Sequence, residues 1–415
     1  MTSRLLAHPR LRGLFIFLSV AGPGIITSNV DNDAGGIATY SMAGAHFGYS
    51  LLWSLIPIMV ALIIVQEMSS RMGVVTGKGL SDLIRERFGV KITVYLLLAL
   101  VLTNFGNVIA EFAGVASSME IFKVSKYISV PMAAVIVWLL VVKGTYRTVE
   151  KVFLSACVFY VTYIVAGFLA KPDWAAVGGG LLTPSFKMST ESLGMIVGLV
   201  GTTIAPWMQF YLQAAIVEKN VALKDYKLSR LDVIIGSVVV TVVAGFIVLV
   251  CGATLFKAGI RVETAADAAQ ALRPLAGRYC AALFAFGLLN ASLFAASILP
   301  LSTAFVVCEA MGWENGVDKK FSEAPQFYGL YTMLILLGAG IVLLPRIPLF
   351  PVMYVSQVLN GIVLPLLLVF MIRLINNKKL MGEHVNGGIY NAISWTTVVV
   401  LGGLSIIYIG SLLRL

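Results

Sequence analysis

Two acids stand two residues apart, Asp31 and Asp33, within GPGIITSNVDNDAGG, residues 22–36. An apolar run enters this stretch from the N-terminal side, and a second resumes at Ile37. A third acid, Glu111, lies in the apolar run 92–121, seven residues after Asn104 and four after Asn107. On a helix those three positions share a face. A charge in hydrocarbon costs roughly 2.5–3.5 kcal/mol on insertion scales, so acids at membrane depth are candidates for function. Gly35, Gly36 and polar Asn32 weaken the helix and leave backbone carbonyls free to face a ligand. A broken helix with acids at mid-membrane is one way to build an ion site. The competing structural reading is a kinked helix whose second half is capped by the aspartates.

The elements that must carry these residues follow from composition. Of 415 residues, 59% are hydrophobic and 12% charged, and the mean hydropathy is +0.93. That describes a polytopic membrane protein with little chain left for soluble domains. A hydrocarbon core about 30 Å thick takes roughly 20 residues per helix. Eleven spans fit, at about 14–46, 50–70, 92–121, 130–142, 149–170, 194–217, 231–256, 279–308, 327–345, 350–374 and 390–413. The first is interrupted at 31–36 and the sixth near Ala205-Pro206. Five spans plus five, each set opening on a broken helix, outline an all-α inverted-repeat fold with one extra helix. The repeats cover about 13–170 and 190–375, the extra helix is about 390–413, and 1–415 forms a single transmembrane domain. The N-terminal stretch shows no small-residue cleavage site and is read as uncleaved.

Orientation follows from basic residues. The N-terminus and the connections 71–91, 143–151, 219–230, 319–320 and 373–379 hold 20 of the 30 Lys and Arg. This face is read as cytoplasmic in a plasma membrane, which places the C-terminus outside. The net charge of +10 is scattered among short loops, so nucleic acid is not an expected partner. Cys157, Cys251, Cys280 and Cys308 lack metal-ligand spacing and read as small buried hydrophobes. No nucleophile–base pair or cofactor motif appears, so neither an enzyme nor a resident cofactor is expected.

Several stretches resemble the Nramp family of divalent-metal transporters. GPGIITSNV with IATYSMAGAHFGYSLLW is similar to that family's first helix and its exit. KGTYRTVEKVFL, AKPDW, APQFYGLYT and SQVLNGIVLPLLLVFMIRLINNKKLMG resemble later connections and span entries. The resemblance covers nearly the whole chain and implies a LeuT-like fold. Its departures are informative. Where the family has Asp-Pro-Gly-Asn, this chain has Asp33-Ala34-Gly35-Gly36, which keeps the aspartate ligand and loses the asparagine. The family's Met-Pro-His becomes Ala205-Pro206-Trp207. Acids that the family associates with proton traffic stand here as Asn104 and Asn107, with Glu111 new. This pattern resembles the divergent branch of Nramp-related magnesium transporters.

Thioether sulfur suits late transition metals, whereas carboxylate, carbonyl and water suit Mg²⁺, Ca²⁺ and Mn²⁺. With Ala205 and Gly36 in place of the family's ligands, an all-oxygen site is expected. It comprises Asp33, Asp31, Asn32, carbonyls near Ala205 and Thr203, and Glu111 acting directly or through water. Gln357 sits where the family has a glutamine near the ion. A roomy, acidic, oxygen site suits partly hydrated Mg²⁺, with Mn²⁺ as a surrogate. The amides do not titrate, so uptake uncoupled from protons is expected, from a monomer in the bilayer. The rivals are a proton-coupled Mn²⁺/Fe²⁺ symporter, a sodium-coupled amino-acid carrier, and a membrane sensor without flux. Asn290, Ser292, Gln209, Gln213 and Thr202 read as interhelical hydrogen-bonding residues and Trp207 as packing. Glu67 with Arg71 reads as an interfacial ion pair. His46 and His384 read as loop residues, and His8 lies in the N-terminal tail.

Overall fold

The computed structural model describes residues 23–143, 161–186 and 188–413. Gly22, His8, the beginning of the first span, most of KGTYRTVEKVFL, Cys157 and the first part of the fifth span lie outside the described residues. Among the described residues the fold is all helical. Eight helices are long and apolar enough to cross a bilayer. The broken first helix and the shorter helix Lys126–Val142 supply further crossings.

The first broken helix is α1 (Pro23–Val30) and α2 (Ala34–Phe47). Helices α3 (Leu55–Thr76), α4 (Leu80–Phe88), α5 (Val90–Ile121), α6 (Lys126–Val142), α7 (Val161–Leu169) and α8 (Trp174–Leu182) follow. The second broken helix is α9 (Thr190–Thr203) and α10 (Pro206–Glu218). Then come α11 (Tyr226–Cys251), α12 (Cys280–Met311), α13 (Pro325–Leu343), α14 (Leu349–Ile375) and α15 (Gly388–Leu413). Where the described residues test them, the span bounds read from the sequence hold to within a few residues, except that α3 runs on to Thr76, past the end expected at 70, and the interruption expected at 31–36 is confined to 31–33, with Gly35 and Gly36 inside α2. Pro206 ends α9 because it has no N–H to continue the ladder, and it then serves as the first residue of α10.

The two broken helices pack crosswise, α9 against α2 and α10 against α1. This is the arrangement that two halves of opposite topology produce. Around them stand α5, α11, α12 and α14, while α15 lies outside against α3, α9 and α14. Every residue in the most apolar stretch of the second broken helix is enclosed by protein, whereas α15 is mostly exposed.

Close approach is secured by glycine at two crossings. A Cβ on Gly201 would run into the Gln357 carbonyl and the Gly361 amide of α14. A Cβ on Gly24 would lie 2.8 Å from Asp232 Oδ2 of α11, the oxygen that accepts from Gly24 N at 2.7 Å.

Two local readings need correction. Glu67 and Arg71 are buried rather than interfacial, at 1% and 8% exposure. Arg71 Nη2 lies 3.0 Å from Glu67 Oε2, Arg71 donates to the His384 and Val385 carbonyls and to Asn386, and the Tyr226 hydroxyl donates to Glu67. A buried pair needs such additional hydrogen bonds to offset desolvation. His46 is not a loop residue: it occupies the last turn of α2, with Nδ1 3.3 Å from Glu191 Oε1. Cys251 and Cys308 are buried, Cys280 is half-buried, and all three are free thiols.

Candidate functional site

The centre is the break between α1 and α2. Asp33 is the N-cap of α2: its Oδ1 accepts from Gly36 N at 2.6 Å, and Ile37 N closes the first turn on the Asp33 carbonyl. The capping reading is thus realised for Asp33. Capping does not exhaust the carboxylate, which can also face an ion. Glu111 reaches the same helix end from α5, with Oε2 accepting from Ala34 N at 3.2 Å. The Asp33 and Glu111 carboxyls stand beside one another, and Glu111 Oε1 has no donor within reach. Both residues are almost wholly enclosed. Two adjacent carboxyls at membrane depth need a proton or a cation between them to be stable.

Asp31 faces a different neighbour. Its Oδ2 accepts from the Tyr40 hydroxyl at 3.2 Å, and that hydroxyl lies 2.7 Å from Thr203 Oγ1 at the last residue of α9. Asp31 Oδ1 has no partner. Tyr40 therefore ties the first break to the second. Asn32, fully buried, completes the break. A Cβ at Gly36 would run into the Asp31 carbonyl and lie 3.2 Å from Thr202 Oγ1, an otherwise unpartnered hydroxyl. Gln357 covers the opposite side, with its amide pressed where a Gly35 side chain would be.

The second broken helix presents the C-terminal end of α9 at Thr203, where the last carbonyls have no following turn of their own helix to bond. These partial negative charges favour a cation. The Ala205 carbonyl differs from the sequence reading. It is not free, because it accepts from Met208 N at 3.1 Å and Gln209 Nε2 at 3.4 Å. Trp207 is fully buried, and its carbonyl accepts from Ser302 Oγ. Ser292 and Gln213 bond to the carbonyls of Leu288 and Lys78, while Asn290 is half-buried on α12. Ser292 nevertheless packs beside the break, since a Cβ on Gly114 of α5 would meet both Ser292 Oγ and, at 2.5 Å, Ala34 Cβ.

Among the described residues, no three His, Cys, Asp or Glu side chains are grouped closely enough to hold a metal ion. The structure brings together Asp33 and Glu111, and separately Asp31, Tyr40 and Thr203. An ion here would complete its shell from backbone, amide, hydroxyl and water oxygens. Along α5, Asn107 and Asn360 exchange amide hydrogen bonds at 3.1 and 3.0 Å, and Asn360 also donates to Gln357 Oε1 at 3.0 Å. Asn104 donates to Thr303 Oγ1 at 3.0 Å. Tyr40 and Asn360 escaped the sequence reading. Asn360 lies three residues from Gln357 and so on its helix face, a signal that helix spacing alone could have supplied.

A cavity of about 760 Å³ opens at the end of the bundle where α2 and α5 finish, lined by His46, Ser117, Glu120, Glu263 and Tyr354. Ser117 is six residues from Glu111 and Tyr354 three from Gln357, so its floor is within one or two turns of the site. Residues 24–411 match the family described as natural resistance-associated macrophage protein-like. The chain belongs to the Nramp family. Among its Nramp relatives, the divalent metal cation transporter MntH of Bacillus subtilis is 26% identical, over 96% of this chain and 94% of that protein. MntH of Deinococcus radiodurans is 28% identical, over 94% and 89%. The fold is shared with a crystal structure of the Eremococcus coleocola manganese transporter, at a TM-score of 0.78 and 21% identity, covering 98% of this chain and 88% of that one. It is also shared with Mhp1, a nucleobase-cation-symport-1 family transporter, at a TM-score of 0.59 and 15% identity, over 95% and 91%. This Nramp chain is a multi-pass membrane protein.

Proposed function

We propose that this Nramp protein is a divalent metal ion transporter that takes up Mg²⁺, accepts Mn²⁺, and works by alternating access without proton coupling. The observation that carries this reading is the Asp33–Glu111 carboxyl pair at the helix break, with Ala205 standing where the resemblance would place a thioether. Mg²⁺ sheds water reluctantly and binds through one or two carboxylates with waters retained. A site with two adjoining carboxyls and, among the described residues, no third acid close enough to share the ion with both fits that habit. Asp31, Asn32, Thr203 and Gln357 supply further oxygens or orient water, and Ala205 and Gly36 leave room for it. The manganese transport named for a structural neighbour supports the divalent-cation part of the reading.

The absence of coupling is argued from the amides. Asn104, Asn107, Asn360 and Gln357 continue the polar path along α5 and α14, and an amide does not change charge during a cycle. The cavity beside His46 and Glu120 would be the outer mouth, with the N-terminus cytoplasmic and the C-terminus outside. The test is competition. Mn²⁺ uptake into proteoliposomes should be suppressed by Mg²⁺ at comparable concentration, and both fluxes should vanish in Asp33→Ala. Mn²⁺ uptake indifferent to a hundredfold excess of Mg²⁺ would instead favour a transition-metal transporter.

A further inference from the structure

On the flank of the second broken helix lies a groove of about 520 Å³, formed by α3, α9 and α15. That volume is in the range of small-molecule sites, about 300–1,000 Å³. Its floor is apolar and buried, made by Ala61, Val200, Ile204 and Leu401. Its rim is exposed to the surroundings of the bundle, with Val60 at 38% and Val400 at 54% exposure. Two of its hydroxyls are already satisfied: Ser54 Oγ donates to the Leu51 carbonyl and Thr397 Oγ1 to the Ile393 carbonyl. The groove therefore asks for hydrocarbon and makes little polar demand. Along α15 it extends from Ala392 to Leu404, about 18 Å at roughly 1.5 Å per residue. Half of a hydrocarbon core about 30 Å thick is about 15 Å, the depth that one leaflet's chain occupies.

We propose that this groove binds one acyl chain of a membrane lipid. The occupant follows from position: the groove lies between membrane-crossing helices and opens through an exposed rim of apolar residues. Its floor gives the binding a consequence. Ile204 is the residue between the end of α9 at Thr203 and the N-cap of α10 at Ala205. A chain seated on Ile204 packs against the break itself, so a rearrangement of the break that moves Ile204 disturbs the bound chain.

The test uses the full chain in bilayers of phosphatidylcholine with a small fraction carrying a mid-chain diazirine. After illumination, adducts are mapped by mass spectrometry. Groove peptides around Ala61 and Ile393 should be labelled at least threefold more than the exposed face of α5 at Leu98 and Leu102. Ala392→Phe, which fills the groove, should bring that labelling down to the level of this α5 face. Groove labelling no higher than the α5 face in the wild type would overturn the proposal, and this comparison does not depend on the variant folding. Unchanged labelling in a folded Ala392→Phe protein would also overturn it. So would disulfide-linked dimers of an Ala392→Cys protein formed by mild oxidation in the same bilayers, which would assign the groove to a second copy.

Discussion

At the scale of single residues, the site divides into two poles. Asp33 and Glu111 form one, held by the first amides of α2, and Asp31 with Tyr40 forms the other. Asp33→Ala removes both the cap of α2 and the proposed metal ligand, and Mg²⁺ flux should fall to background in a liposome dye assay. Glu111→Gln keeps the shape and removes the charge, so flux should drop at least tenfold at low Mg²⁺ and recover in part when Mg²⁺ is raised. Tyr40→Phe deletes the hydroxyl between Asp31 and Thr203, a loss of about 1 kcal/mol for a buried hydrogen bond. A fewfold loss of rate with metal affinity nearly unchanged is expected from paired binding and flux measurements. The acids themselves were legible in the sequence because charge in an apolar run is conspicuous. Tyr40 was not, since a tyrosine in a membrane helix is unremarkable until Thr203 is placed opposite it.

At the scale of elements, the two breaks have different causes. Polar residues Asp31, Asn32 and Asp33 interrupt α1–α2, with Gly35 and Gly36 already in the first turn of α2, while Pro206 interrupts α9–α10; both breaks were legible, although the glycines were not needed for the first. The side on which a carbonyl finds a partner was not legible: Ala205, expected to offer a free oxygen, is held by Met208 and Gln209. The Glu67–Arg71 pair was misplaced for a related reason. Helix spacing gives the pair but not the loop near Asn386 that buries it. Restoring a thioether by Ala205→Met should raise Mn²⁺ uptake relative to Mg²⁺ in competition assays, since soft ligands favour the later metal. Gly36→Asn should not add to that gain, because its Cβ meets the Asp31 carbonyl, and flux for both ions should fall. At the α9–α14 crossing, Gly201→Val should cost about 1–3 kcal/mol by overpacking, seen as earlier thermal unfolding in detergent.

At the scale of the molecule, the crossed broken helices hold the candidate site between them, and the 760 Å³ cavity opens at one end of the bundle, one or two helical turns away. A crossed pair of this kind can open to one side or the other by moving against the surrounding helices. The driving force needs no proton. A potential of about 100 mV is worth roughly 2.3 kcal/mol per charge, hence about 4.6 for a divalent ion, enough for roughly a thousandfold accumulation. The measurement that tests this most directly uses proteoliposomes under an inside-negative potassium potential, one set loaded with a Mg²⁺ dye and a parallel set with a pH dye. Saturable Mg²⁺ entry with no acidification of the lumen is expected. Failure of Mg²⁺ to enter, together with Mn²⁺ entry that acidifies the lumen, would contradict it and make the protein a proton-coupled transition-metal symporter.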